Sequence, residues 1–445
     1  MVNTAHNPVM HVALIHSRQD KAGVNIRNQI VALLDQNYHH GDRSYEFFEV
    51  ESRLIHADGI DRKILCDLVI FLSRHSSVNP VPVLTVHVTG NFREAELGGK
   101  IRTLAPAAPG MMQAVLRELS GRCPSGYRTA YEVTHHGPTD ICHPSFFVEI
   151  GSTEKEWTDE HAGKAVAESI LAAEISSPPP IPLIGFGGNH YAARQTEIAW
   201  TTRGAFGHIA HSREVSKLDA AMIRQMAERT GAVAAYVDKK ALKKEELAHL
   251  FPLLEASGIV RLSETEIAGL RGLSVKAYRE ARELAGSLIP GARCHVHALT
   301  GDPDLVGMRI DPALLAETLK AGEKTFLHNL DLLPLIHVSG ADSRPVPLFI
   351  TSEEKRSGII NDLNTLCVKI IRKKETTVTE GDHLIIQRVR FDPEKARDQG
   401  VPPGPLFGKL AEGRSVEVSG RVITPAMVST GSEIRIHIPG LENIA

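Results

Sequence analysis

Short apolar runs recur along the first half of this chain and alternate with stretches whose apolar residues fall at helical spacing. The runs are Met10–Ser17, Asp67–Ser73, Val83–Val88, Ser145–Ile150, Pro182–Phe186 and Ala232–Val237. Helical spacing appears in Val24, Ile26, Ile30, Val31, Leu33 and Leu34, and again over Met111–Leu119, Asp159–Glu174, Arg213–Glu228 and Lys243–Ala256. A strand covered on both faces reads as a continuous apolar run, whereas a half-buried strand alternates. The pattern therefore predicts an α/β fold, a mainly parallel sheet with helices on both faces, with ligands expected at the carboxyl ends of its strands. From about Gly291 the pattern changes to short segments and prolines, then to β-rich runs at Asp382–Phe391, Arg414–Ile423 and Glu433–Ile438. The expected division is an α/β domain over 1–290, a connecting segment over 291–340, and a smaller β-rich carboxyl-terminal domain over 341–445. The proline run Ser176–Pro182 reads as a surface loop of the first domain, and Lys239–Glu246 as a solvated helix face.

Composition excludes several classes. The chain has 445 residues, 42% of them hydrophobic, enough to bury a sizeable core. No apolar segment approaches the roughly 18 residues that span a bilayer, and Met1–Pro8 lacks the basic and apolar regions of a secretory signal, so a cytoplasmic protein without membrane contact is expected. The five cysteines are an odd number without a CxxC pair, which indicates neither a disulfide framework nor a thiolate zinc finger. A net charge of −3 with a pI near 6.7 argues against coating RNA by an overall field, so any RNA contact must be local. Histidine stands out, with 22 residues, several of them clustered at glycine turns. It is the commonest metal ligand and general base near neutral pH.

The densest constellation is Thr134-His135-His136-Gly137-Pro138-Thr139, followed by His143 and by Glu149 within Phe146–Ser152. Adjacent side chains of a strand point to opposite faces, so His135 and His136 share a site only if the chain turns, and Gly137-Pro138 supplies the turn. With Glu149 they make a nitrogen and oxygen set of the type zinc accepts. The competing reading is a pair of histidines hydrogen-bonded to loop carbonyls. A second constellation, Gly185-Phe186-Gly187-Gly188-Asn189-His190, follows an apolar run and precedes a helical one. Backbone N–H groups at Gly187 and Gly188 would suit a phosphate or an oxyanion, and Arg194 and Glu197 follow at helical spacing. The third, Arg203–Ile209 with His211, carries His208.

THHGPT, FFVEIGSTEKEW, GFGGNHYAARQTEIAW and GAFGHIAHS, in that order, resemble the signature blocks of the archaeal and plant D-aminoacyl-tRNA deacylase family over about Met10 to Gly291. The resemblance implies hydrolysis of the ester between a D-amino acid and the terminal ribose of transfer RNA, two zinc ions per subunit, and a fold related to nucleoside phosphorylases and peptidyl-tRNA hydrolases. Where the family reads GGGHYAPR, this chain has Asn189 for the last glycine and Ala193 for the proline. Asparagine tolerates positive φ, so the turn is expected to survive. A stretch from Gly400 to Leu410 is similar to part of the tRNA 3′-end processing endonucleases of the metallo-β-lactamase fold. Their HxHxDH motif is absent, however, because His295-Val296-His297 lacks the following Asp-His.

An aminoacyl ester is already activated, so the enzyme needs an attacking water, a site for the oxyanion and a grip on the RNA end. Zinc lowers the pKa of water to about 7, which fits the absence of a serine or cysteine nucleophile elbow. His135, His136, Glu149, His190 and His208 are the expected metal ligands. His136, His190, Glu197 and His208 are expected to share the catalytic work, and Gly187, Gly188, Arg194 and Thr139 to hold substrate. The chain is expected to act as a monomer on aminoacyl-tRNA. The rival readings are a metal-free, peptidyl-tRNA hydrolase-like esterase, in which a histidine and Asn189 position water, and a non-catalytic tRNA-binding module.

Overall fold

The computed structural model describes residues 9–36, 42–78 and 80–444, so the Met1–Pro8 stretch lies outside the described residues. The chain divides into two compact units, Met1–Arg271 and Gly272–Ala445. The first unit carries a six-stranded sheet built from β1 (Met10–Ser17), β2 (Arg43–Val50), β3 (Leu68–Arg74), β4 (Val83–His87), β5 (Arg128–Tyr131) and β6 (Ser145–Gly151). Its order is β2-β1-β3-β6-β4-β5, and every neighbouring pair is parallel except β6 and β4. The central strands β4 and β6 are buried along their whole length, as their continuous apolar runs require. Edge strand β2 alternates between half-buried and exposed positions, so no apolar run marks it.

Helix α1 (Lys21–Asp35) shows how the ends of strands are fixed. Asp20 caps it, one carboxylate oxygen accepting from the backbone N–H groups of Ala22 and Gly23, both at 3.0 Å. The other oxygen accepts from the Arg74 N–H at 3.0 Å, which ties the helix start to the end of β3. Gly23 is required by close approach, since a Cβ there would sit 2.4 Å from the Leu72 carbonyl oxygen. Helices α2 (Pro109–Arg122) and α3 (Glu160–Ala172) continue the layer, α3 packing on both α1 and α2.

A second, wholly parallel sheet in the same unit joins β7 (Ile181–Phe186), β8 (Gly204–Ala210) and β9 (Ala234–Val237) in the order β8-β7-β9. It is accompanied by α4 (Ala193–Thr201), α5 (Ala220–Thr230) and α6 (Lys244–Ala256). The helix expected over Arg213–Glu228 is broken. Asp219 caps a fresh start, accepting from the Met222 N–H at 2.9 Å. Backbone bonds knit this sheet and the turn after β7 to the chain after β5: the Val133 N–H donates to the His190 carbonyl in that turn and the Thr134 N–H to the Ile209 carbonyl in β8, both at 2.9 Å.

The second unit contains α7 (Val275–Leu288), β10 (Arg293–Val296), β11 (Leu305–Arg309), α8 (Pro312–Leu330), β12 (Leu335–Ser339), β13 (Pro345–Ser352) and α9 (Arg356–Arg372). It continues with β14 (Thr376–Glu380), β15 (His383–Phe391) and β16 (Ser429–His437). Two antiparallel sheets, β10-β12-β13-β11 and β14-β15-β16, share one apolar cluster that includes Phe326, Phe349, Leu363, Ile371, Leu384 and Ile436. The β character expected here is present, but two long helices lie alongside it. The segment 291–340, expected as a connector, supplies β10, β11, β12 and α8 to the packed unit, and α7 groups with it rather than with the first unit. Strands β15 and β16 pair from His383↔His437 to Phe391↔Ser429, and residues 392–428 between them gather their own small core of Ala396, Val401, Leu410, Val416, Ile423 and Val428.

His208 lies buried within β8. Its Nε2–H donates to the Ala105 carbonyl at 2.9 Å and its Nδ1 accepts from the Thr134 hydroxyl at 3.1 Å. Burial lowers its pKa to about 4 from an unfolded value of 6.5. Between those values the unfolded chain binds more protons at this residue than the folded one. Stability should therefore fall as pH drops through that window, by on the order of 3 kcal/mol from this residue. Urea unfolding between about pH 7 and pH 4 should show a shallower loss for His208→Gln than for the unaltered chain, whereas parallel curves would contradict the assignment.

Candidate metal centre

Glu132 is the pivot of the first unit's chemistry. It directly follows β5, its backbone N–H bonds to the Val86 carbonyl, and its side chain is fully buried. His75 Nδ1 lies 3.0 Å from one of its oxygens, His190 Nε2 2.9 Å and His135 Nε2 3.5 Å from the other. Around it, three sets of side chains bring ligand-capable atoms within 4.8 Å of one another: His87, His135 and His136; His75, Glu132 and His190; and His87, Glu132 and Glu149. His75, His135, His136, Glu149 and His190 line a cleft of about 830 Å³.

The strand order explains the convergence. Because β4 runs antiparallel to β6, Glu149 pairs across with Thr85 on one side and Ser73 on the other, and His87 pairs with Phe147. Side chains two apart share a face, so His87, Phe147 and Glu149 stand together on one side of the sheet. Their rings and carboxylate meet there, with His87 and Phe147 stacked at 5.4 Å and His87 Nε2 3.6 Å from Glu149. The centre therefore combines a sheet face, which carries His87 and Glu149, with residues that follow the carboxyl ends of β3, β5 and β7. The turn after β5 completes it. His136 adopts φ 49°, its carbonyl accepts from the Gly90 N–H at 2.8 Å, and the two adjacent imidazoles come to 4.4 Å between ring centres.

These residues fit a bound cation on their own geometry. His87, His135 and His136 each direct Nδ1 at a backbone carbonyl, of Val88, Val133 and Gly137 respectively, at 3.3, 2.8 and 2.6 Å. A carbonyl only accepts, so each Nδ1 carries the proton and each Nε2 keeps its lone pair, the orientation that a metal-ligating histidine needs. Both Glu132 oxygens, His87 Nε2 and His190 Nε2 are buried without an aligned hydrogen-bond partner, although ion-pair neighbours stand close by. Close but misaligned donor atoms of nitrogen and carboxylate type suit a divalent ion such as zinc.

The electrostatics divide the cluster. Burial, reinforced by His87, drives His136 to about 3, and burial with its two neighbouring imidazoles drives His135 well below its usual value. Burial opposes charge on Glu132, yet His190 and His75 hold its carboxyl well below the ordinary range. Glu149 goes the other way, raised by burial and by the charge of Glu132. Burial works against protonating His75 and His87, but Glu132 and Glu149 raise them nonetheless.

Of the residues singled out in the sequence, the structure brings together His135, His136, Glu149 and His190. His208 stands outside all three sets, because both of its ring nitrogens are committed to Thr134 and Ala105. Arg194 and Glu197 do share a helix face but spend it on each other, at 2.8 Å, and on an Arg194–Glu264 pair. The N–H groups of Gly187 and Gly188 are taken by the Ala210 carbonyl and the Ser212 hydroxyl, at 2.9 and 3.0 Å, so this turn offers no oxyanion site. Gly187 and Gly188 adopt φ of 90° and 104°, so the positive φ falls on them and not on Asn189. Thr139 is buried in the loop packing, its hydroxyl accepting from the Lys100 N–H at 2.8 Å. Sequence reasoning missed His75, His87 and Glu132. A signal existed for His87, a polar residue inside the apolar run Val83–Val88, whereas His75 and Glu132 follow polar or mixed sequence.

The family model described as D-aminoacyl-tRNA deacylase matches residues 63–261. A protein named D-aminoacyl-tRNA deacylase from Methanoregula boonei is 56% identical over 98% of this chain and 100% of its own length. One of the same name from Methanoculleus marisnigri is 49% identical over 97% of this chain and 99% of its own. A crystal structure titled as a conserved protein of unknown function aligns with a TM-score of 0.54 at 32% identity, covering 58% of this chain and 97% of the other. With near-complete coverage at such identity, the chain belongs to the D-aminoacyl-tRNA deacylase family.

Proposed function

We propose that this chain hydrolyses the ester between a D-amino acid and the 3′-terminal ribose of tRNA, releasing both, and so acts in chirality proofreading during translation. The observation that carries the reading is a buried carboxylate ringed by imidazoles on the wall of an open cleft, in a chain of this family. Two zinc ions would be held by Nε2 of His87, His135 and His136 and by His75, Glu132 and His190, with Glu149 between the sets. Zinc, when bound, supplies Lewis acidity and a nucleophile available at neutral pH. The chain's own part is to orient the ligands through the Val88, Val133 and Gly137 carbonyls. It also moves a proton: Glu149, 3.6 Å from His87 Nε2 and on the wall of the cleft, accepts it as water attacks the carbonyl carbon, then returns it to the ribose oxygen as the ester C–O bond breaks. The side-chain Oδ1 of Asn189, which a metal-free mechanism would employ, already accepts from the Tyr191 N–H at 3.2 Å. A kinship of the first unit with nucleoside phosphorylases and peptidyl-tRNA hydrolases, action as a monomer, and a cytoplasmic place of work belong to the same proposal. Among the described residues no helix is long and apolar enough to cross a membrane.

Two experiments follow. His87→Ala, His136→Ala and His190→Ala should each lose bound zinc after dialysis while remaining folded. Each should also lose more single-turnover rate on D-tyrosyl-tRNA than the roughly 10–100-fold typical of an outer-shell partner. His249→Ala, whose imidazole bonds to the Leu218 carbonyl at 2.8 Å, is the control. Full zinc and near-unaltered rates in all three would sink the ligand assignment, and lost rate with zinc intact would make these residues bases or clamps. Second, because every residue placed in the centre precedes Arg271, a chain ending there should still release D-tyrosine from tRNA. A soluble, folded truncation without turnover at saturating substrate would show that the second unit takes part in the reaction.

A further inference from the structure

Four arginines line the cleft: Arg53, Arg74, Arg93 and Arg213. Two of them share one internal carboxylate, Glu214, with Arg93 at 2.9 Å and Arg213 at 3.5 Å. Arg53 and Arg74 have no carboxylate partner among the described residues. Arg74 directly precedes His75, and its guanidinium lies over the Trp157 ring, 5.1 Å from the centroid. That ring is itself pinned, its Nε1–H donating to the His75 carbonyl at 2.9 Å. Arg53 opens a loop packed on the histidine turn, where a Cβ at Gly137 would stand 2.5 Å from the Ile55 carbonyl oxygen. One cation is therefore built next to His75, in one ligand set, and the other onto the turn bearing His136, in another.

Arg53 and Arg74 thus bring positive charge to the cleft wall beside the ligand sets, in a chain whose net charge is −3. Glu94 and Glu96 line the same cleft, so its field is mixed and the two cations must act by contact rather than by long-range steering. Guanidinium binds phosphate through a planar fork of donors, and a cation stacked on an indole stays ordered while doing so. We propose that Arg53 and Arg74 clamp the backbone phosphates of the terminal, single-stranded nucleotides of the RNA, one on either flank of the reacting ester. This rests on the deacylase reading above and adds to it the residues that grip the RNA. These two side chains would grip about two phosphates, contacts that carry no base-sequence information of their own.

The test measures binding of a CCA-ended oligoribonucleotide against salt, together with turnover of D-tyrosyl-tRNA and of D-tyrosine ethyl ester, which has no phosphate. Two contacts to single-stranded RNA give a slope of log affinity on log salt of about −1.4. Arg53→Gln and Arg74→Gln should each reduce it to about −0.7 and raise KM for D-tyrosyl-tRNA about tenfold, with a smaller loss on the ethyl ester. Arg53→Lys should restore the slope, and Arg93→Gln should change it less. Unchanged slopes in both variants, or equal losses on the tRNA and the ethyl ester, overturn the clamp. If the unaltered enzyme fails to release D-tyrosine from tRNA yet binds the oligonucleotide with the two-contact slope, the deacylase reading falls and the clamp stands.

Discussion

A buried carboxylate must find positive charge or change its protonation state, and Glu132 is buried completely. The surrounding chain meets that requirement with imidazoles drawn from distant segments: His75 after β3, His135 from the turn after β5, and His190 from the turn after β7. Each is supplied by a separate piece of backbone, so the position of one acid sets where several loops must end. Glu149, on β6 across the intervening β4, is left with the opposite tendency, because it too is buried and two neighbouring carboxylates cannot both be charged at ordinary cost. The pair is thus unequal, one carboxyl held charged by imidazoles and the other pushed toward its neutral form.

Loops alone would hold such a site poorly. The histidine turn is instead fixed on three sides: Val133 bonds to His190 in the turn after β7 and Thr134 to Ile209 in β8, Gly90 bonds to His136, and Thr89 bridges His135. His208, although not a ligand candidate, belongs to this scaffold. Its ring receives the Thr134 hydroxyl proton, and the Ile209 N–H donates to the same oxygen at 3.1 Å, so the residue before the histidine pair has little freedom. Preorganisation of this kind lets the ligand atoms point at a common volume before anything occupies it.

The α/β character of the first unit was legible because β3, β4 and β6 are buried on both faces and spell themselves as continuous apolar runs. β2 was not, since an edge strand such as RSYEFFEV presents one face to solvent and mixes charge into the pattern. The antiparallel turn of β4 against β6 leaves no trace in local composition, and it is this pairing that places His87 beside Glu149. Attention to glycine turns found His135, His136 and His190 but also overvalued Gly187 and Gly188, whose N–H groups point inward. Helical spacing put Arg194 and Glu197 on one face correctly, but spacing cannot say which way the face looks, and here it looks toward Glu264. In the second unit α8 and α9 escaped notice amid short segments and prolines, though each buries a regular stripe such as Leu363, Cys367, Val368 and Ile371.

The hairpin of β15 and β16 opens at Phe391↔Ser429, where chain leaves the sheet and returns to it on adjacent, hydrogen-bonded strands. Residues 392–428 thus enter and exit through a gate no wider than a strand spacing, about 4.8 Å, and carry their own apolar core. Such a piece is topologically a pendant. It can be excised and the gate closed by a two-residue turn without altering the register of the sheet below, since the pairs from His383 to Phe391 are set by the strands themselves. The same gate would accept an unrelated small domain in its place, which makes this hairpin tip the point at which the architecture is most open to gain or loss of a whole module.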